Sequence, residues 1–140
     1  MQSRLMALTL ATGLALAACG DDGTGITAQD LQGTWEASVY EFTDNADPLS
    51  VVDVILRDGA SFTLTVDADG NASTLFDNGI GGSSSDSGVL NSDGTILTLA
   101  GDPFDAVRNG DRLDLSYATS SFDFGSGSVA ATLRIVMNRQ

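Results

Sequence analysis

The chain has 140 residues, a formal net charge of −13 and neither lysine nor histidine. This length suits one domain with its own hydrophobic core. Nucleic acid is recognised through a positive patch, so we expect no nucleic-acid partner for so acidic a chain.

Residues 1–20 have the parts of a secretory signal. Arg4 supplies positive charge, and the uncharged apolar stretch at 5–18 is shorter than the ~20 residues that span a bilayer. The letters LAAC at 16–19 resemble a bacterial lipobox, the site at which a lipoprotein signal peptide is removed and its cysteine is acylated. The resemblance implies a signal peptide at 1–18 and membrane attachment through a lipid on Cys19. The alternative is an ordinary signal that leaves Cys19 as a free thiol.

The residue after the lipidated cysteine helps to sort bacterial lipoproteins, and aspartate there retains them in the inner membrane of enteric bacteria. Here Gly20 follows Cys19. The resemblance therefore implies a cell-envelope protein that is anchored in the outer membrane and faces the periplasm.

A flexible tether at 19–26 precedes the domain that we predict for 27–140. At its start, Thr27 and Asp30 have the spacing of a capping box, which predicts one short helical turn. Downstream, β-branched and aromatic runs alternate with polar residues and are separated by Asp-Gly and Asn-Gly steps. We predict loops at 77–87 and 119–128, and strands at 34–42, 51–57, 61–66, 72–76, 87–91, 95–100, 104–108, 112–117 and 129–138.

These strands predict an all-β fold. A meander of about eight strands has two exposed edges unless it closes, so we expect an antiparallel up-and-down β-barrel. A two-sheet sandwich is the alternative, because the two glycine- and serine-rich loops are long enough for crossovers.

The letters LQGTWE at 31–36 contain Gly33 and Trp35, and they resemble the Gly-x-Trp opening of lipocalin-like domains. In that family the tryptophan closes one barrel end and packs against an arginine of the last strand. The resemblance implies this role for Arg134 or Arg139, and we favour Arg134. It also implies a lipocalin-like barrel over 27–140 that binds a small apolar or amphipathic molecule inside.

Strand alternation indicates which side chains face this interior. The inward residues that we predict to line a ligand cavity are Phe62, Leu64, Leu113, Leu115, Tyr117, Leu133 and Ile135. Because most of them are large, the alternative is a barrel packed solid, which binds an envelope component through its loops or outer surface. The oligomeric state is left open.

We expect no catalytic activity and no cofactor. Without histidine or lysine the usual general base and Schiff-base nucleophile are missing, and most aspartates fall at turns. The letters DADGN at 67–71 have too few oxygen ligands for a calcium loop, so we predict a hairpin turn and no metal site. Phe122 and Phe124 lie in a polar loop and belong either to a buried strand edge or to a gate at the barrel mouth.

Overall fold

The computed structural model describes residues 25–140. The predicted signal peptide, Cys19 and residues 19–24 of the predicted tether lie outside the described residues. Helix α1 spans Ala28–Leu31 and helix α2 spans Val54–Asp58, and neither is long and apolar enough to cross a membrane. The strands are β1 (Gly33–Asp44), β2 (Val51–Asp53), β3 (Ser61–Val66), β4 (Asn71–Asp77), β5 (Ser83–Leu90), β6 (Ile96–Leu99), β7 (Asp102–Asn109), β8 (Arg112–Asp123) and β9 (Ser128–Arg139).

Strands β1 and β3 to β9 form a closed antiparallel barrel of eight strands. Each strand pairs with the next along the chain, and β9 closes the barrel by pairing with β1. Strand β2 adds to the second half of β1, where Phe42 pairs with Val52. The predicted up-and-down barrel is thus confirmed. A sandwich is ruled out because all the strands belong to one continuous sheet.

Two β-bulges decide which side chains face the interior. In β1 the register with β9 shifts between Ala37 and Val39, and in β8 it shifts between Thr119 and Phe122. A one-residue shift moves every later side chain to the other face of the strand. Trp35 and Tyr40 therefore both face inward although they are an odd number of residues apart.

The prediction of a strand over 51–57 is wrong in its second half, which forms helix α2. The Asp53 carboxylate accepts hydrogen bonds from the N–H groups of Ile55 (2.9 Å) and Leu56 (3.3 Å) and caps the helix. Gly59, with a φ of 69°, ends it in the left-handed conformation. A short apolar run does not distinguish a strand from a helix, so the cap decides the outcome.

The two predicted long loops are mostly strand. Strand β5 begins at Ser83 because residues 83–87 pair along β4, where Ser85 is opposite Leu75. Strand β8 continues to Asp123, which pairs with Ser128. Serine has no strong preference for strands, so here the pairing with a neighbouring strand overrides local propensity.

The core lies inside the barrel. Trp35, Leu64 and Leu97 have no exposed surface, so the ring of Trp35 is shielded from water. Residues 25–140 contain this core together with every strand of the closed barrel.

Candidate functional site

One end of the barrel is closed by α1, Trp35 and Arg139. Trp35 lies at the start of β1, and its Nε1 donates a hydrogen bond to the carbonyl of Leu31 (2.7 Å). The Arg139 guanidinium lies 4.4 Å from the centroid of the Trp35 ring. It donates to the carbonyl oxygens of Asp30 and Gln32 as well. Three successive carbonyls at the end of α1 are thereby satisfied by side chains of the barrel.

The arginine that contacts Trp35 is Arg139 and not Arg134, which corrects the sequence prediction. Arg134 lies on the outer face of β9 and forms an ion pair with Asp114 (3.0 Å). Alternation explains the difference, because Ile135 and Met137 face inward and Arg134 therefore points out. Gly33, the other predicted closure residue, has a φ of +124°, and a Cβ there would lie 3.4 Å from the Arg139 guanidinium.

The chain enters the barrel at this same closed end. The N–H of Ile26 donates to the carbonyl of Gly94 in the β5–β6 turn (2.8 Å). A Cβ on Gly94 would lie only 2.0 Å from the Ile26 carbonyl oxygen, so the approach requires glycine. The segment before α1 is therefore fixed at the end of the barrel that Trp35 closes.

The opposite end holds a cavity of about 340 Å³ that opens between the strand ends. Small-molecule sites occupy roughly 300–1,000 Å³, so this cavity has the size of a small ligand site. Its apolar lining consists of Tyr40, Phe42, Phe62, Phe76, Leu99, Ala100, Phe104, Tyr117, Phe122, Leu133 and Ile135. Its polar lining consists of Thr74, Ser84, Asp86, Asp102, Thr119 and Ser121.

Aromatic rings cover much of the wall. The Tyr40 ring centroid lies 5.5 Å from that of Phe62 and 5.4 Å from that of Phe76, on the side formed by β1, β3 and β4. Phe104 and Tyr117 form a second pair at 5.2 Å on β7 and β8. Burial raises the pKa of Tyr40 above its ordinary value of 10.0. The phenol is therefore uncharged near pH 7.

Phe122 is at the barrel mouth, stacked on Phe42 at a centroid distance of 3.8 Å. Phe124 packs edge-on against Phe122 at 4.8 Å, beside the β8–β9 turn. Phe122 lines the cavity because the bulge in β8 turns its side chain inward. The stacked rings of Phe42 and Phe122 therefore cover one side of the opening.

Two carboxylates face inward at the mouth. Asp86 lies directly opposite the buried Thr74, and Asp102 lies opposite the buried Leu99. Residues directly opposite on antiparallel strands share a face of the sheet, so both aspartates point to the interior. The Tyr117 hydroxyl donates to the Asp102 carboxylate (2.9 Å), and this bond raises the pKa of Tyr117.

Four of the seven side chains that we predicted to line a cavity do line it, namely Phe62, Tyr117, Leu133 and Ile135. Leu64, Leu113 and Leu115 also face inward, but they have no exposed surface and belong to the packed core outside the cavity lining. Four further aromatic residues line the cavity without having been predicted from the sequence, namely Tyr40, Phe42, Phe76 and Phe104. Alternation within 104–108 could have indicated Phe104, whereas Tyr40 and Phe42 depend on the β1 bulge.

No protein-family model matches the chain, and no curated protein matches it in sequence. The resemblance to a lipobox therefore depends on the letters at 16–19 alone, and the resemblance to lipocalin-like domains depends on Gly33 and Trp35.

Asp67 organises the β3–β4 turn. Its carboxylate accepts hydrogen bonds from the N–H of Asp69 and from the N–H and side chain of Asn71, each at 2.9 Å. The hydrogen bond from the Asn71 side chain makes the largest contribution to lowering the pKa of Asp67, and the backbone N–H donors lower it further. Within residues 25–140, no group of three or more metal-ligating side chains is gathered together.

Exposed apolar side chains lie on the loops around the cavity mouth. Leu49 in the β1–β2 loop is 93% exposed, Leu56 on α2 is 83% exposed and Ile80 in the β4–β5 turn is 82% exposed. The β4–β5 turn touches α2, since a Cβ on Gly79 would lie 2.1 Å from the Asp58 carbonyl oxygen.

Proposed function

We propose that this protein is a non-enzymatic, lipid-anchored lipoprotein of the cell envelope whose barrel binds a small apolar or amphipathic molecule. The observation that carries the binding function is the cavity of about 340 Å³ with its aromatic wall. A barrel of eight strands is just wide enough to hold one small ligand. Of the large inward side chains that favoured a solid barrel, Leu64, Leu113 and Leu115 belong to the packed core. Phe62, Leu133 and Ile135 line the cavity instead of filling it.

The anchor and the cavity mouth would lie at opposite ends of the domain. Only residues 20–24 separate Cys19 from Gly25, and an extended chain covers at most about 3.5 Å per residue. A lipid on Cys19 would therefore hold the closed end within about 20 Å of the membrane. The mouth would then open toward the aqueous compartment, where ligand could exchange without passing through the bilayer.

The anchor is tested by expressing Cys19→Ser and the unaltered chain in a Gram-negative host. We expect only the unaltered chain to incorporate labelled fatty acid. We also expect it to stay with the membrane pellet after a salt wash. Acyl chains add about 0.8 kcal/mol of membrane affinity per buried CH₂, so several chains hold stably. Labelling of the serine variant, or its retention in the pellet, would refute lipid attachment at Cys19.

Binding is tested with a soluble chain spanning residues 20–140 and the neutral dye N-phenyl-1-naphthylamine. We expect saturable binding of about one dye per chain. Ser84→Trp should fill the cavity and weaken binding at least tenfold, because Ser84 lines it. Ser85→Trp is the matched control on the outer face of the same strand, opposite the exposed Leu75. Equal binding by both variants would refute the interior site.

The exposed apolar residues around the mouth favour a second candidate function, in which the loops bind an envelope component. Several large apolar side chains that are exposed at one end of a domain favour an interaction site there. Replacing Leu49, Leu56 and Ile80 by serine should abolish such an interaction and leave dye binding intact. In-cell crosslinking of the membrane-anchored protein would detect it, as a crosslinked species that the serine variant lacks.

A further inference from the structure

The cavity carries negative charge at its mouth. Asp86 from β5 and Asp102 from β7 are two strands apart on one side of the barrel. Neither forms an ion pair with a residue of the described part. All the other lining side chains are apolar or bear a neutral hydroxyl. The two aspartates therefore set the charge of the cavity.

Within residues 25–140, no cation is available at the cavity to balance an anionic ligand. The chain has neither lysine nor histidine, and arginine is its only basic residue. Every arginine within 25–140 is ion-paired with an aspartate, and none lines the cavity. The pairs are Arg57–Asp58, Arg108–Asp30, Arg112–Asp114, Arg134–Asp114 and Arg139–Asp111. A carboxylate or phosphate headgroup would meet only repulsion at the mouth.

The aromatic wall suits a cation as well as an apolar body. Aromatic surfaces lie on two sides of the cavity. The Tyr40 ring contacts both Phe62 and Phe76 on one side, and Phe104 pairs with Tyr117 on the other. A cation near such a ring is attracted to its negative face, and aromatic cages bind ammonium groups in this way. The net charge of −13 also raises the local concentration of cations around the protein.

We infer that the cavity selects an organic monocation, a protonated amine or quaternary ammonium on a compact apolar body. This inference rests on the proposed binding function and adds the charge of the ligand. The apolar body contacts the aromatic rings, and the ammonium group lies at the mouth beside Asp86 and Asp102.

The test uses three naphthalenes of matched size with the chain spanning residues 20–140. They are 1-naphthylmethylamine as the cation, 1-naphthalenemethanol as the neutral form and 1-naphthoate as the anion. Titration calorimetry at low salt should give about tenfold tighter binding of the amine than of the alcohol, and the weakest binding for the naphthoate.

Asp86→Asn combined with Asp102→Asn should remove most of the amine's advantage over the alcohol, leaving the attraction of the aromatic rings, and should leave the alcohol's affinity unchanged. Asp93→Asn combined with Asp105→Asn is the control, since it removes the same charge from residues outside the cavity lining. The thermal midpoint checks that both variants are folded.

The outcomes separate the two proposals. Equal affinities for all three probes, or an amine preference that is undiminished in the Asp86/Asp102 variant, would overturn the charge assignment and leave the binding site standing. Failure of all three probes to bind saturably would overturn the binding function itself.

Discussion

The Arg139 guanidinium lies over the ring of Trp35, 4.4 Å from the ring centroid, and this contact joins the last strand of the barrel to the first. The same side chain binds two carbonyls at the end of α1, and Trp35 binds the carbonyl between them. These two residues therefore join the first helix, the first strand and the last strand at one end of the barrel.

Arg139→Ala should destabilise the fold much more than Arg134→Ala. Arg139 loses a cation–π contact and two hydrogen bonds to carbonyls, for which we expect about 2–3 kcal/mol. Arg134 loses an exposed ion pair, for which we expect less than about 1 kcal/mol. Urea unfolding of both variants measures the difference. Equal losses would show that the contact with Trp35 contributes little.

Trp35→Ala should reduce the free energy of unfolding by about 3–5 kcal/mol, because the ring is fully buried and its loss leaves a cavity. The chain has a single tryptophan, so its fluorescence reports this site alone. We expect blue-shifted emission that iodide quenches poorly. Red-shifted, readily quenched emission in the unaltered protein would contradict the closed end.

Ala100→Asn should stabilise the protein. Ala100 has a φ of +55° in the tight β6–β7 turn, followed by Gly101 at +94°. Left-handed geometry costs an alanine roughly 1–2 kcal/mol, whereas Asn-Gly is the preferred pair for such turns. Thermal unfolding should show a rise of a few degrees. Ala118→Asn on the exposed face of β8 is the control, and a similar rise there would refute the turn explanation.

Asp30 should contribute stability that acid removes. The pKa of this carboxyl lies below its ordinary value of 3.8. Hydrogen bonds from Thr27 are the largest cause, and the positive charges of Arg108 and Arg139 add to the shift. A lowered pKa means that the stabilisation is complete above that value and is lost as the pH falls through the lower, folded-state value. Asp30→Asn should therefore be less stable than the unaltered protein at pH 7, and the gap in thermal midpoint should shrink below about pH 4. A gap independent of pH would contradict this assignment.

Phe122→Ala should speed ligand exchange if the cavity binds as proposed. Removing the ring that stacks on Phe42 uncovers one side of the mouth and takes away an aromatic contact. We expect dye release to accelerate about tenfold in stopped-flow experiments, with a smaller change in association. Leu75→Ala, on the outer face of β4, should leave both rates unchanged. An unchanged release rate for Phe122→Ala would exclude a gating role.

The sequence alone identified the barrel. Alternating runs such as Phe62-x-Leu64-x-Val66 report burial on one face, and the Asp-Gly and Asn-Gly steps report turns, since both signals depend on neighbouring residues only. The capping box of α1 was readable for the same reason and is present in the structure. The predicted signal peptide and the LAAC letters at 16–19 depend likewise on a purely local pattern, and they remain a prediction.

Pairing between strands that are distant in sequence determined which side chains line the cavity. The bulges in β1 and β8 bring Tyr40, Phe42 and Phe122 to the interior, and a bulge is defined by the partner strand rather than by the residues it contains. Pairing with β4 likewise made a strand of the serines in β5.

The choice of Arg139 over Arg134 and the inward position of Asp86 depend on the same register. The local pattern indicates that two faces exist. Only closure of the sheet determines which residue of each strand meets which across the barrel, and therefore where the interior is filled and where it stays open.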